Sequence, residues 1–126
     1  MRSYLLIILF SACSSSLFAQ SHEKTVYTYV AHMPEFPGDY NKYISDNLRY
    51  PIDAKKAKKE GKVLLRFLIL ETGELDSVSI IHGIYPSIDS EAIQVIKNMP
   101  RWKPARNDDN IPVRVWYTLP IIFKLD

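Results

Sequence analysis

The sequence predicts an α+β fold in which a three-stranded antiparallel sheet carries two main helices on one face. Three observations lead there. The apolar period switches from helical to two-residue and back along the chain. A glycine-containing turn, Glu71-Thr-Gly-Glu74, joins two strand-like runs. Pro100 halts the second helix ahead of a long alternating segment that closes the sequence.

In chain order, Pro34-Glu-Phe-Pro-Gly38 sets an extended approach and a turn, because each proline locks φ and biases its predecessor away from helix. Tyr40, Tyr43, Ile44 and Leu48 then fall on one face of a first helix. Tyr50-Pro51 ends it. Pro51 can open a further helical turn, with Ile52, Ala54 and Ala57 on its apolar side and Lys55, Lys56, Lys58 and Lys59 on the rest, a solvated face. From Lys62 the period becomes two. Val63, Leu65, Phe67 and Ile69 share one face; Leu64, Arg66, Leu68 and Leu70 share the other, which marks a central strand. Gly73 supplies positive φ at the turn, and Leu75, Val78, Ile80 and Ile81 form the return strand. Ser87 is the expected N-cap of a second helix bearing Ile88, Ala92, Val95, Ile96 and Met99. In the terminal strand Val113, Val115, Tyr117, Leu119, Ile121, Phe123 and Leu125 keep one parity across Pro120.

Connectivity then orders the sheet. A hairpin, a crossover helix and a third strand are all antiparallel only if the last strand pairs with the first hairpin strand. The order is return strand, first strand, terminal strand, so the terminal strand is an edge. An edge is where Pro120 is tolerated, since no partner needs its missing N–H.

Composition bounds function. The 126 residues, 47% hydrophobic, suffice for one core and are too few for two. A net charge of +2 without a clustered basic face argues against nucleic acid. The single cysteine, Cys13, rules out an internal disulfide framework. It lies in residues 1–19, where Arg2, an apolar run over 4–10 and a serine-rich stretch ending at Ala19 have the form of a cleaved secretory signal peptide. A lipoprotein beginning at Cys13 and an uncleaved anchor are the alternatives. Residues 20–33 are a short polar lead in which residues 26–30 can form a strand or arm, and residues 34–126 are the domain.

His22, His32 and His82 have no metal-ligand spacing, and no nucleophile–base pair or phosphate-binding loop is present. Asp89 and Glu91 are first-turn charges matching a helix dipole. No catalytic residue, metal ligand or cofactor is therefore expected, the alternative being an enzymatic cleft beside Tyr40 and Tyr43. Trp102 reads as a packing residue at a corner set by Pro100 and Pro104. Trp116, on the solvent-leaning parity, suits either packing and self-association or a partner contact.

Taken in order, Pro34-Glu-Phe-Pro-Gly38, Tyr50-Pro51-x-x-Ala54, the hairpin, the run from Asp89 through Met99-Pro-Arg-Trp-Lys-Pro104, and the terminal strand resemble the TonB C-terminal domain family over about residues 33–125. The resemblance implies a three-stranded sheet with two helices, and a non-catalytic protein of the periplasm linked to TonB-dependent transport. It also implies an energy-transducer mechanism in which a short TonB-box peptide of an outer-membrane receptor, or a segment of another envelope partner, adds as a strand to the terminal edge. Here that edge would be Val113, Arg114, Val115, Trp116, Tyr117, Thr118 and Leu119, with Arg114, Trp116 and Thr118 selecting side chains. The motor proteins ExbB and ExbD are implied only for a membrane-anchored form. Homodimerisation through the same edge is the alternative.

Two departures from the family pattern stand out. The lead, at most about 50 Å when extended, lacks the proline-rich composition of a force-transmitting linker, which suggests a free-standing binding module. Lys58-Lys59 stand where the family commonly has Gly-Ile, so the middle connection is expected to run on as helix.

Overall fold

The structure, a computed structural model, describes Val26, Tyr27 and residues 30–126. The proposed signal segment and most of the lead lie outside the described residues. The elements in order are β1 (Val26–Tyr27), α1 (Tyr40–Asn47), α2 (Ile52–Lys56), β2 (Gly61–Ile69), β3 (Leu75–His82), α3 (Pro86–Lys97), β4 (Ala105–Arg106) and β5 (Pro112–Phe123).

The two-sided apolar run of β2 lies where its composition demands, between β3 and β5. Its antiparallel register with β5 is continuous from Gly61 opposite Phe123 to Ile69 opposite Val115. The sheet is nevertheless not the expected three-stranded antiparallel one. Among the described residues it has five strands in the order β1-β5-β2-β3, with β4 also on β5, and the β1–β5 pair is parallel. The extra strands are two residues each. Such short segments have no periodicity of their own, and pairing alone makes them strands, long-range for β1 and through a short hairpin loop for β4. The terminal strand is accordingly covered along its first residues, as a third-strand edge would not be.

Parity along the long strands holds. Val63, Leu65, Phe67 and Ile69 of β2 and Val113, Val115, Leu119, Ile121 and Phe123 of β5 are buried against Ile88, Ala92, Val95 and Ile96 of α3. On the opposite sheet face Leu68 is also buried, cross-strand from Trp116.

The second helix begins two residues earlier than expected. Tyr85 is its N-cap and Pro86 its first residue, whereas Ser87 lies inside and its hydroxyl is buried without a hydrogen-bond partner. Proline at the first helical position needs no N–H there and outcompetes the serine cap. The Asp89 carboxylate reaches back to accept from the Ile84 N–H at 2.9 Å, a role beyond a simple dipole charge.

The middle connection does not continue as helix. Lys58 takes φ +54°, its N–H donates to the Lys55 carbonyl at 3.1 Å, and the Lys59 N–H donates to that of Ala54 at 3.0 Å. These bonds are a Schellman closure, in which the left-handed position is usually glycine. The backbone thus takes the geometry that glycine favours while holding a lysine. Replacing Lys58 with glycine is expected to raise stability by roughly 0.5–1 kcal/mol, because a Cβ is strained in left-handed backbone. Urea unfolding checks this, and an unchanged or lower midpoint would contradict it.

Candidate functional site

Two sheet margins could accept a further strand, and local geometry distinguishes them. The outer margin of β3 is interrupted twice. Its pairing with β2 shifts between Leu64 and Leu65 and between Arg66 and Leu68, and Ser77 takes φ +52°. Bulges of this kind twist an edge away from intermolecular pairing. Strand β5 has no such interruption.

The outer side of β5 is divided. Its first part is occupied, where β1 pairs at Arg114 and Val115. The parallel pairing of Tyr27 with Val115 reaches as far as the Trp116 N–H, and beyond it no described strand pairs with β5. The unbroken register through Pro120, opposite Leu64, fixes which groups face outward. Proline has no N–H to give β2, so its backbone position is the outward-facing one, and by alternation Trp116, Thr118 and Ile122 also direct their N–H and C=O outward.

The seven sequence-expected residues therefore separate. Val113 and Val115 are core side chains on the paired stretch, and Leu119 is a core side chain on the open stretch. Arg114 is tied to Glu71 by a half-buried ion pair of 2.6 Å. Trp116 lies under the Arg66 guanidinium, 4.1 Å from the ring centroid, so its exposed face is already partly covered. Thr118 is exposed and cross-strand from Arg66. Tyr117 is half-buried, its ring 5.1 Å from that of Trp102.

Trp102 is a packing residue, only 4% exposed, as its place between Pro100 and Pro104 suggested. Phe36 and Phe67 approach its ring edge-on at 5.7 Å, its N–H donates to the Gly73 carbonyl at 2.9 Å, and its indole nitrogen is buried without a hydrogen-bond partner. The neighbouring Lys103 exchanges backbone hydrogen bonds with Glu35, which fastens the segment ahead of α1 to the corner.

Sequence reasoning missed the second wall of the open lane. Tyr40, Ile44 and Leu48, with Asn41 and Ser45, face Pro120, Ile121 and Ile122 across a groove of about 520 Å³ that has no charged side chain in its lining. The first-helix stripe signals this in part, since Tyr40, Ile44 and Leu48 repeat every fourth residue. No residue of α1 is fully buried, however, so the stripe is shared between the core and the groove. That division depends on where α1 docks, which periodicity does not encode.

Burial, with the adjacent Tyr117 as a smaller cause, raises the Tyr40 phenol to about 12. An unfolded tyrosine ionises near 10. Stability from holding Tyr40 neutral is thus complete below about pH 10 and is lost as pH rises through about 12. An absorbance titration at 295 nm is expected to contain one phenol ionising near pH 12 that disappears in Tyr40→Phe; a titration without that component would contradict the placement.

The cleft beside Tyr43, between α1 and α3, is polar and inward-tied. The Tyr43 hydroxyl donates to the Val95 carbonyl at 2.9 Å, and the Glu91 carboxylate accepts from the Arg49 N–H at 3.2 Å. Its lining holds no nucleophile–base pair.

Residues 46–125 match the family described as the Gram-negative bacterial TonB protein C-terminal. Among solved structures, the chain is similar to the NMR solution structure of the C-terminal domain of Helicobacter pylori TonB. Identity is 22%, coverage is 68% of this chain and 77% of that one, and the TM-score is 0.52. A comparison with curated proteins finds no match.

Proposed function

The chain belongs to the Gram-negative TonB C-terminal family, and from that premise we propose that it captures an extended peptide by adding it as a strand to the outer side of β5. The observation that carries this reading is the stretch of β5 beyond the Trp116 N–H, unpaired among the described residues beside an uncharged groove. Family domains engage the TonB-box of outer-membrane receptors, and the proposed ligand is such a segment or an equivalent one on another envelope partner. Outward backbone groups of Trp116, Thr118 and Ile122 supply the ladder; Tyr40, Ile44 and Leu48 receive an apolar side chain. Thr118 and Trp116 are the proposed selectors on the solvent face. Arg114 joins them only where the ligand reaches past Trp116. The work is non-catalytic and periplasmic, at the receiving end of TonB-dependent transport. Coupling to ExbB and ExbD would require an inner-membrane anchor; among the described residues no helix is long and apolar enough to cross a membrane.

The alternation along β5 selects the test. Proline at Val115 would remove an N–H facing β2, where Val115 pairs with Ile69, and would damage the fold itself. Proline at Thr118 removes an outward N–H, as Pro120 already does. Thr118→Pro is expected to retain its circular dichroism and melting behaviour while losing at least tenfold, roughly 1.4 kcal/mol, in affinity for a synthetic TonB-box peptide by calorimetry. A folded Thr118→Pro protein that binds the peptide as before would overturn edge capture. Concentration-dependent dimerisation without peptide uptake would instead favour homodimerisation through this strand.

A further inference from the structure

Strand β1 lies on the same side of β5 as the open lane and immediately ahead of it, with Val26 opposite Arg114 and Tyr27 opposite Val115. We infer that this strand is a resident competitor: the chain's own Val26–Tyr27 occupies the first part of the capture lane and is lifted off when a partner strand fills it. The inference rests on the edge-capture reading and specifies how that site is regulated.

The open lane alone is a poor ladder. Between Trp116 and Ile122 the outward N–H groups come from Trp116, Thr118 and Ile122, with a gap at Pro120 where only a carbonyl faces out. Beyond Trp116 in the other direction, Arg114 supplies the next outward pair, and there β1 is seated. A partner that forms an uninterrupted ladder over Arg114, Trp116 and Thr118 must take the Arg114 groups and the Trp116 N–H from β1. The next outward position before Arg114 is Pro112, which has no N–H to give. The full lane is therefore residues 114–122, about 30 Å of strand.

Strand β1 is also suited to leave. It has two residue pairs, Val26 is 37% exposed, and Tyr27 packs at the margin of the core. The next fixed points lie beyond it, at buried Val30 and at the backbone pair between His32 and Arg106, whose N–H and C=O groups bond in both directions at 2.9 Å. Lifting β1 leaves these in place. The exchange replaces one set of backbone bonds with another of the same kind, so apparent affinity is scaled by the fraction of molecules in which β1 is off. Capture of a partner thereby releases the segment preceding the domain and makes its freedom report on the occupancy of the edge.

The experiment uses the full chain in a Cys13→Ser background. Val26→Cys with Arg114→Cys places a disulfide across the β1–β5 pair; oxidised and reduced forms share the loss of the Arg114–Glu71 contact, so comparing them isolates the lock. Tyr27→Pro releases β1 without touching β5. With a synthetic TonB-box peptide, the oxidised form is expected to bind at least tenfold more weakly than the reduced form, and Tyr27→Pro three- to tenfold more tightly than its parent. A peptide of residues 25–30, Thr-Val-Tyr-Thr-Tyr-Val, should bind Tyr27→Pro and not the parent. Equal TonB-box affinities for oxidised, reduced and Tyr27→Pro forms would overturn the competition while leaving edge capture standing. Absence of binding in every form, with the fold intact by circular dichroism, would overturn edge capture and the competition with it.

Discussion

Replacement of Trp102 by alanine is expected to destabilise the domain by about 3–5 kcal/mol, the range for deleting a buried tryptophan. The melting temperature should fall by roughly 15 °C or more, since a domain of this size loses about 4–8 °C per kcal/mol. The effect is large because the indole joins three parts of the fold. It packs on Phe67 of β2, on Tyr117 of β5 and on Phe36 in the segment leading to α1. Its loss opens a cavity where helix, hairpin turn and terminal strand converge. Trp102→Phe separates packing from polarity. Phenylalanine retains an aromatic ring and removes the indole N–H that is buried without a partner, a group whose burial costs about 1–3 kcal/mol. The phenylalanine variant should therefore lose clearly less stability than the alanine variant. Urea unfolding of both measures the difference; equal losses would mean that the aromatic contacts contribute little.

The second large effect is at Gly73, where alanine is expected to cost about 2–4 kcal/mol. Gly73 takes φ +89°, and a Cβ there would collide with the carbonyl oxygen of Trp102, closer than real Cβ contacts occur. Backbone cannot give way as a flexible side chain would. The turn would have to move, disturbing the bond from the Trp102 N–H to the Gly73 carbonyl and the bond from the Gly73 N–H to the Leu70 carbonyl, each 2.9 Å. Left-handed strain adds about 1–2 kcal/mol for any residue with a Cβ. Gly38 provides the control. Its φ is +108°, yet an added Cβ there has nothing within 4 Å, so Gly38→Ala carries the backbone strain without the collision. If Gly73→Ala melts no lower than Gly38→Ala, close approach at the corner is not what demands glycine.

These two positions also mark what local sequence could reveal. The need for glycine in Glu71-Thr-Gly-Glu74 was legible, because a two-strand pattern broken by such a turn calls for positive φ. That the same glycine must let Trp102 approach was not, since the two residues are far apart in the chain. The helix stop at Pro100 was equally legible, whereas the orphaned indole nitrogen depends on which rings surround it. At Lys58 the sequence pointed the wrong way. A lysine-rich run favours helix by propensity, but closure onto the Ala54 and Lys55 carbonyls imposes left-handed backbone.

The candidate site divides along the same line. Parity placed Val113, Val115 and Leu119 in the core and left Arg114, Trp116 and Thr118 on the other face, because alternation in a strand is a local property of the backbone. Pro120 announced an outward-facing position for the same reason. Occupancy of the edge was beyond such arguments. Strand β1 is too short to have a period, and it exists because β5 offers it hydrogen bonds. The groove wall formed by α1 likewise follows from helix docking, a sum of many weak long-range contacts.

The sequence by itself determined the central three strands and their order, the faces of the long strands, the helix stop at Pro100 and the family resemblance, all of which follow from periodicity and special backbone residues over short spans. Only the tertiary structure decided how much of β5 remains open, which helix walls the opening and which residues of the chain already sit on it, because unpaired backbone groups take whatever partner the completed fold brings within reach.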